Sequence, residues 1–189
     1  MVSGQSRRST KAVFLDRDGV LTIPLFRDGR SFAPLSLEEF HLYPGIAQSL
    51  ATLRRQGFLL VVVTNQPEVG RGRLGQETLC EMHRRLSAVL PIDAIKVCPH
   101  TPEDRCKCRK PMPGMLLEAA NEFEIRLSAS YMVGDRSGDI VAGHAAGCRS
   151  IFVDLGYTSE TPPREPDAVV PSLQGAVDWI LANEGLRGE

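Results

Sequence analysis

Two aspartates two positions apart, Asp16 and Asp18 in FLDRDGVL, directly follow an apolar run, and Asp135 in MVGDRSGD follows another, with Asp139 four residues on. Carboxylates gathered at strand ends repel one another unless a positive charge sits between them. A divalent cation with oxygen ligands supplies that charge. A single aspartate commonly caps a helix or fills a turn. Two acidic strand ends, with Thr64-Asn65 at a third, point instead to a cation-assisted site. The segment CPHTPEDRCKCRKP carries a different donor set in Cys98, His100, Cys106 and Cys108. Three thiolates and one imidazole complete a tetrahedral zinc shell with no position for water, so that metal is expected to be structural. Cysteines near strand ends are often merely buried, but Arg105, Lys107 and Arg109 interleave with these in a polar stretch. Zinc here would fix Arg109 and Lys110 as preorganised cations. Arg71, Arg109 and Arg136, if grouped, make an anion site; each alone reads as a solvated surface arginine.

The elements that must position these groups alternate. Ala12–Asp16 reads as a buried strand, and a helix follows from Pro44, with Ile46, Leu50 and Leu53 as its stripe and Gly57 as its stop. Leu59–Thr64 is a continuous β-branched run, the mark of a strand covered on both faces of a parallel sheet. Helices are expected over Gln76–Leu90, Met115–Phe123, Asp139–Ala146 and Ser172–Asn183. Strands are expected at Ala94–Val97, Tyr131–Val133, Ser150–Val153 and Ala168–Val170. This alternation predicts an α/β layered sandwich, Rossmann-like, with a mostly parallel central sheet. Ligands in such folds sit beyond the carboxyl ends of the strands, where Asp16, Thr64, Cys98 and Asp135 all fall. Two long stretches interrupt the pattern. Thr22–Tyr43 is read as a small hairpin flap, and Cys98–Pro113 as the zinc-ordered loop. We expect a flexible tail over residues 1–11 and a single domain over 12–189.

Composition excludes several partners. Lys+Arg 22 against Asp+Glu 23 gives a net charge of −1, so no long-range positive field is available for nucleic acid or anionic membrane. The longest apolar run, Phe58–Val63, is far short of the roughly 20 residues of a membrane helix. The basic, polar start does not read as a secretory signal. Five cysteines, three of them crowded beside a histidine, fit a reducing, cytoplasmic setting better than a disulfide framework. Cys80 and Cys148 read as core residues, His41 and His83 have no ligand-like neighbours in sequence, and Trp179 reads as an anchor for the last helix.

The order DRDGV, Thr64 at a second strand end, Lys110 in CRKP and GDRSGD resembles the signature of the haloacid dehalogenase superfamily over roughly Val13 to Ile151. The resemblance implies a phosphohydrolase. Asp16 would be the nucleophile, Asp18 the general acid and then base, and Mg²⁺ would be held by Asp16, the Asp18 main-chain carbonyl and Asp135. Thr64 and Asn65 would hold phosphate oxygens. Lys110 would join Asp16 to the phosphate, with Asp139 orienting the lysine. The zinc loop, TNQ followed by GRG, and CRKPMPGM narrow the likeness to a zinc-containing capless subgroup that takes in heptose 1,7-bisphosphate and histidinol-phosphate phosphatases. That subgroup implies a small phosphorylated sugar as substrate, with Gln66, Arg71, Arg109 and Arg136 on the substrate side, and a monomer. Pro67-Glu68-Val69 departs from the usual Ser-Gly-Ile, and Arg136 stands where the heptose enzymes commonly carry lysine. A branch that dephosphorylates nucleic-acid 3′ ends is disfavoured by the near-neutral charge and scarce aromatics.

Overall fold

Alternate residues of β1 (Lys11–Leu15) serve two cores, Val13 and Leu15 facing one and Ala12 and Phe14 the other. β4 (Phe58–Asn65) divides in the same way, with Leu60 and Val62 opposite Val61 and Val63. Two-sided burial is what a continuous β-branched run calls for. The computed structural model describes residues 10–159 and 161–185. In it β1 pairs in parallel with β4 on one side and with β6 (Tyr131–Gly134) on the other. β5 (Ala94–Cys98) lies outside β4, and β7 (Arg149–Val153) and β8 (Ala168–Val170) lie outside β6. The order is β5-β4-β1-β6-β7-β8, and every pairing is parallel.

The first core is closed by α1 (Ile46–Arg55), α3 (Gln76–Val89) and α6 (Leu173–Asn183), through Leu50, Leu53, Met82, Leu86, Val177 and Ile180 among others. On the opposite face α4 (Gly114–Glu122) contributes Met115, Leu116 and Ala119, and α5 (Ser137–Ala146) contributes Ala142 and Ala146. The chain runs from β1 to β4 and β5 in one direction, then returns to β6 and onward in the other. The strand order therefore reverses at β1, where a crevice for ligand opens. Asp16 stands at that point.

Between β1 and α1 the chain adds β2 (Leu25–Arg27) and β3 (Arg30–Phe32), an antiparallel pair at the place expected for the flap. α2 (Pro67–Gly70) is a single turn that periodicity did not anticipate. α1 starts at Ile46, not Pro44, because Gly45 takes a left-handed conformation as its cap. Of the tail expected over residues 1–11, residues 1–9 lie outside the described residues. Thr10 and Lys11 are part of the fold. Thr10 bridges to Ile125, and Lys11 opens β1 with its ammonium 2.7 Å from Glu184 and above the Phe58 ring. Among the described residues no helix is long and apolar enough to cross a membrane.

Candidate active site

Asp16 leaves the end of β1 with its backbone N–H donating to Val133 O of β6, so the adjoining strand fixes where the carboxylate begins. Its Oδ1 lies 2.6 Å from Lys110 Nζ, and the same ammonium reaches Asp139 Oδ1 at 2.6 Å and Val63 O at 2.7 Å. All three charged groups are buried. Asp139 also accepts from the Arg136 backbone N–H at the start of α5, and a Cβ on Gly134 would collide with it. Glycine is what lets β6 approach so closely. Asp135 extends from the end of β6, and a Cβ on Gly19, at φ +98°, would run into its carboxylate. The DRDG turn and the β6 end thus close on one another.

The electrostatics of this cluster are unbalanced. Burial, reinforced by Asp139 and Asp18, pushes the Asp16 carboxyl up to about 6 despite Lys110 beside it. Burial, then Asp16 and Asp139, push Asp135 well above the ordinary carboxylate range. Lys110 is raised, its two aspartate partners overcoming the effect of burial. Asp135 Oδ2 accepts from the Tyr157 hydroxyl at 2.6 Å, while its buried Oδ1 has no hydrogen-bond partner. Carboxylate oxygens of Asp16, Asp135 and Asp139 lie within 4.8 Å of one another. Three carboxylates against one lysine, one of them with an unpartnered buried oxygen, fit a hard divalent cation.

Asp18 is held differently. Arg17 Nε donates to its Oδ1 at 3.0 Å and Arg17 Nη2 to its Oδ2 at 2.8 Å. Thr22 Oγ1 donates to Oδ1 and Gln66 Nε2 to Oδ2, each at 2.8 Å. Burial would raise this carboxyl, but the guanidinium and these donors outweigh it and hold Asp18 below its ordinary value. Arg17 itself is 0% exposed and lies against the Phe40 ring, with Nη1 3.1 Å from His83 Nε2 on α3. Burial, and after it the Arg17 charge, drives His83 down to about 4.

In the loop after β5 the Sγ atoms of Cys98, Cys106 and Cys108 lie 3.1 to 3.6 Å apart, and His100 Nδ1 is 3.2 Å from Cys108 Sγ and 3.6 Å from Cys98 Sγ. None of the thiols is in a disulfide. Donors around a single zinc at about 2.3 Å would be separated by roughly 3.8 Å; this cluster is somewhat tighter, and its four donors are gathered closely enough to hold one ion.

The structure brings Asp16, Asp18, Asp135, Asp139, Lys110 and Thr64 to one edge of the sheet, but two residues expected on the substrate lie differently. Gln66 is fully buried, and its amide N–H₂ is taken up by Asp18 and Thr64 Oγ1. Asn65 Nδ2 donates to Lys110 O and Asn65 Oδ1 accepts from Lys110 N, both at 3.1 Å, so its side chain clamps the lysine backbone. The arginines have separate partners. Arg71 pairs with Glu68 at 2.6 Å, Arg109 donates to His100 O at 3.2 Å, and Arg136 donates to Ser31 O at 2.9 Å and to the Ser31 hydroxyl. Glu68 also lies 3.2 Å from Arg73, so the departure at Pro67-Glu68-Val69 carries its own counter-charges. His83, which sequence reading left without a neighbour, touches Arg17; Arg17 and Tyr157 were missed altogether. An arginine between two acids was the one signal available, whereas Tyr157 reaches the site from a loop far along the chain.

The family model described as HAD-hydrolase-like matches residues 107–176. D-glycero-beta-D-manno-heptose-1,7-bisphosphate 7-phosphatase of Pseudomonas putida is 36% identical over 156 residues, which is 80% of this chain and 86% of that protein. The enzyme of the same name from Escherichia coli is 34% identical over 187 residues, 92% of this chain and 90% of that one. Among solved structures, D,D-heptose 1,7-bisphosphate phosphatase from B. bronchiseptica, complexed with magnesium and phosphate, gives a TM-score of 0.77 at 31% identity and covers 92% of this chain and 99% of that one.

Proposed function

This chain belongs to the haloacid dehalogenase-like hydrolases and is a phosphatase, and from that premise we propose that it removes the 7-phosphate of D-glycero-D-manno-heptose 1,7-bisphosphate by way of an aspartyl-phosphate. The observation that carries the chemistry is the Lys110 ammonium seated between Asp16 and Asp139 at the point where the strand order reverses. Lys110 ties down one oxygen of Asp16, and the other attacks phosphorus as the bond to the sugar oxygen breaks. Asp18 passes a proton to that oxygen. A phosphomonoester, whose second pKa is about 6, can bring this proton with it. In the second step water attacks phosphorus, Asp18 takes its proton, and the bond to Asp16 breaks to release phosphate. The four hydrogen bonds on Asp18 favour the carboxylate form that this step needs.

Asp16, Asp135 and the Asp18 main-chain carbonyl are the groups we assign to Mg²⁺, which when bound sets positive charge against the phosphoryl oxygens. Cys98, His100, Cys106 and Cys108 are assigned to a structural zinc that orders the loop leading into Lys110. Because these thiols must stay reduced, we place the enzyme in the cytoplasm, working as a monomer on a small phosphorylated sugar without nucleic acid or membrane. Arg109 and Arg136 are the cations we assign to the remote phosphate. Glu68, ion-paired to Arg71 and Arg73, does not offer a bare acid to an amine-bearing substrate such as histidinol phosphate.

The deciding experiment is phosphate release with Mg²⁺ from heptose 1,7-bisphosphate, histidinol phosphate and a 3′-phosphorylated oligonucleotide. The heptose should lead by at least about tenfold in kcat/KM, the worth of one charge-assisted contact. A lead for histidinol phosphate or the oligonucleotide overturns the substrate assignment.

A further inference from the structure

We infer that Arg17, backed by His83, is a positioning residue that aims the Asp18 carboxylate at the proton it moves; this rests on the phosphatase reading above. The geometry is specific. A guanidinium 0% exposed must have its N–H groups met by protein. Nε and Nη2 form a fork on both oxygens of Asp18, and Nη1 points the opposite way, to His83 Nε2 at 3.1 Å. Arginine only donates, so His83 Nε2 is the acceptor and the ring carries its proton on Nδ1. Phe40 covers one face of the guanidinium, its centroid 5.5 Å from Cζ.

Arg17 sits in the turn after β1 while His83 sits on α3, an element anchored in the core by Leu79, Met82 and Leu86. The contact therefore ties the orientation of the Asp18 fork to a rigid helix, independently of the turn's own bonds from Thr22. Without an acceptor at position 83 the buried Nη1 loses its partner, and the guanidinium must rotate or take in water to recover one. Either change moves the fork, and the carboxylate moves with it. A displaced Asp18 affects the two half-reactions unequally when the leaving group needs no proton, because only attack by water then depends on it.

Rapid-quench kinetics with p-nitrophenyl phosphate and Mg²⁺ separate the steps, using wild type, His83→Leu and His83→Gln. Leucine removes the acceptor, while the glutamine Oε1 can replace it. His83→Leu should release a burst of nitrophenolate close to one per chain, followed by turnover about tenfold slower than wild type as aspartyl-phosphate accumulates. His83→Gln should restore most of the steady rate. If His83 only supports folding, burst amplitude and steady rate fall together, and that result overturns the inference. So does an unchanged His83→Leu, or a His83→Gln no better than leucine. A wild type that releases no phosphate from any monoester removes the phosphatase reading itself, and the inference with it.

Discussion

At Asp16 the carboxylate faces a buried ammonium 2.6 Å away, and the pair owes its strength as much to the exclusion of water as to its separation. Asp16→Asn keeps the shape and leaves Lys110 its bond to Asp139, but an amide cannot form the acyl-phosphate. Phosphate release should fall by about 10⁴-fold or more, with the circular-dichroism melt of the wild type retained. Turnover within a hundredfold of wild type would place the nucleophile elsewhere. Asp16, Asp18 and Asp135 were legible from sequence because oxygen donors directly after apolar runs form a local pattern. The partners that set their state were not. Whether His83 meets Arg17 depends on how α3 rotates over the sheet, and no spacing within either segment encodes that. The family resemblance puts Asn65 on the phosphate and Gln66 on the substrate side. They turn inward because Asp18 and the Lys110 backbone offer them buried partners.

The loop after β5 shows how an element with little regular structure can still position a catalytic group. Lys110 follows Cys108 by two residues, and its backbone is clamped from β4 by Asn65. One anchor is the sheet and the other is the thiol cluster. Cys108→Ser should therefore lower bound zinc well below one per chain and cut kcat by roughly ten- to a hundredfold, the range for losing support around a metal-tuned site. Elemental analysis and kcat measured on one preparation test this. Full activity without zinc would leave Asn65 as the sole anchor. The order of strands and helices was legible because periods of 2 and 3.6 are local signals. Less visible was where the hairpin β2–β3 docks. Phe26 stacks on Tyr157 at 5.9 Å, Ser159 bonds to Asp28 O and Gly29 O, and Arg136 bonds to Ser31. Each contact joins segments more than a hundred residues apart, so only the assembled sheet brings them together.

Near-neutral overall charge conceals a local excess of acid at the sheet's reversal point, and that excess bears on the stability of the whole molecule. Asp16 is raised to about 6 and Asp135 is raised well above its ordinary value, in both cases chiefly by burial. A folded state that binds protons more tightly than the unfolded chain gains stability at low pH. It loses that gain as pH climbs from about 4 through the raised values. In Mg²⁺-free buffer the cluster thus destabilises the fold more at pH 7 than at pH 4.5. Asp135→Asn removes one of the opposed charges, and its side-chain carbonyl can still accept from Tyr157. The variant should melt about 2–4 °C above wild type at pH 7, the shift that about 1 kcal/mol gives a chain of this size. The difference should shrink as pH falls toward 4.5, because protonation of the raised carboxyls relieves the repulsion. Adding Mg²⁺ should raise the wild-type melting temperature at pH 7 and leave that of the variant nearly unchanged, because a cation that binds only the folded state stabilises it by mass action. Calorimetry of both proteins at the two pH values, with and without Mg²⁺, tests this. A variant less stable than wild type at pH 7 without Mg²⁺ would mean that Asp135 is held by contacts stronger than its repulsion from Asp16 and Asp139, and that this carboxylate cluster is not strained in favour of a cation.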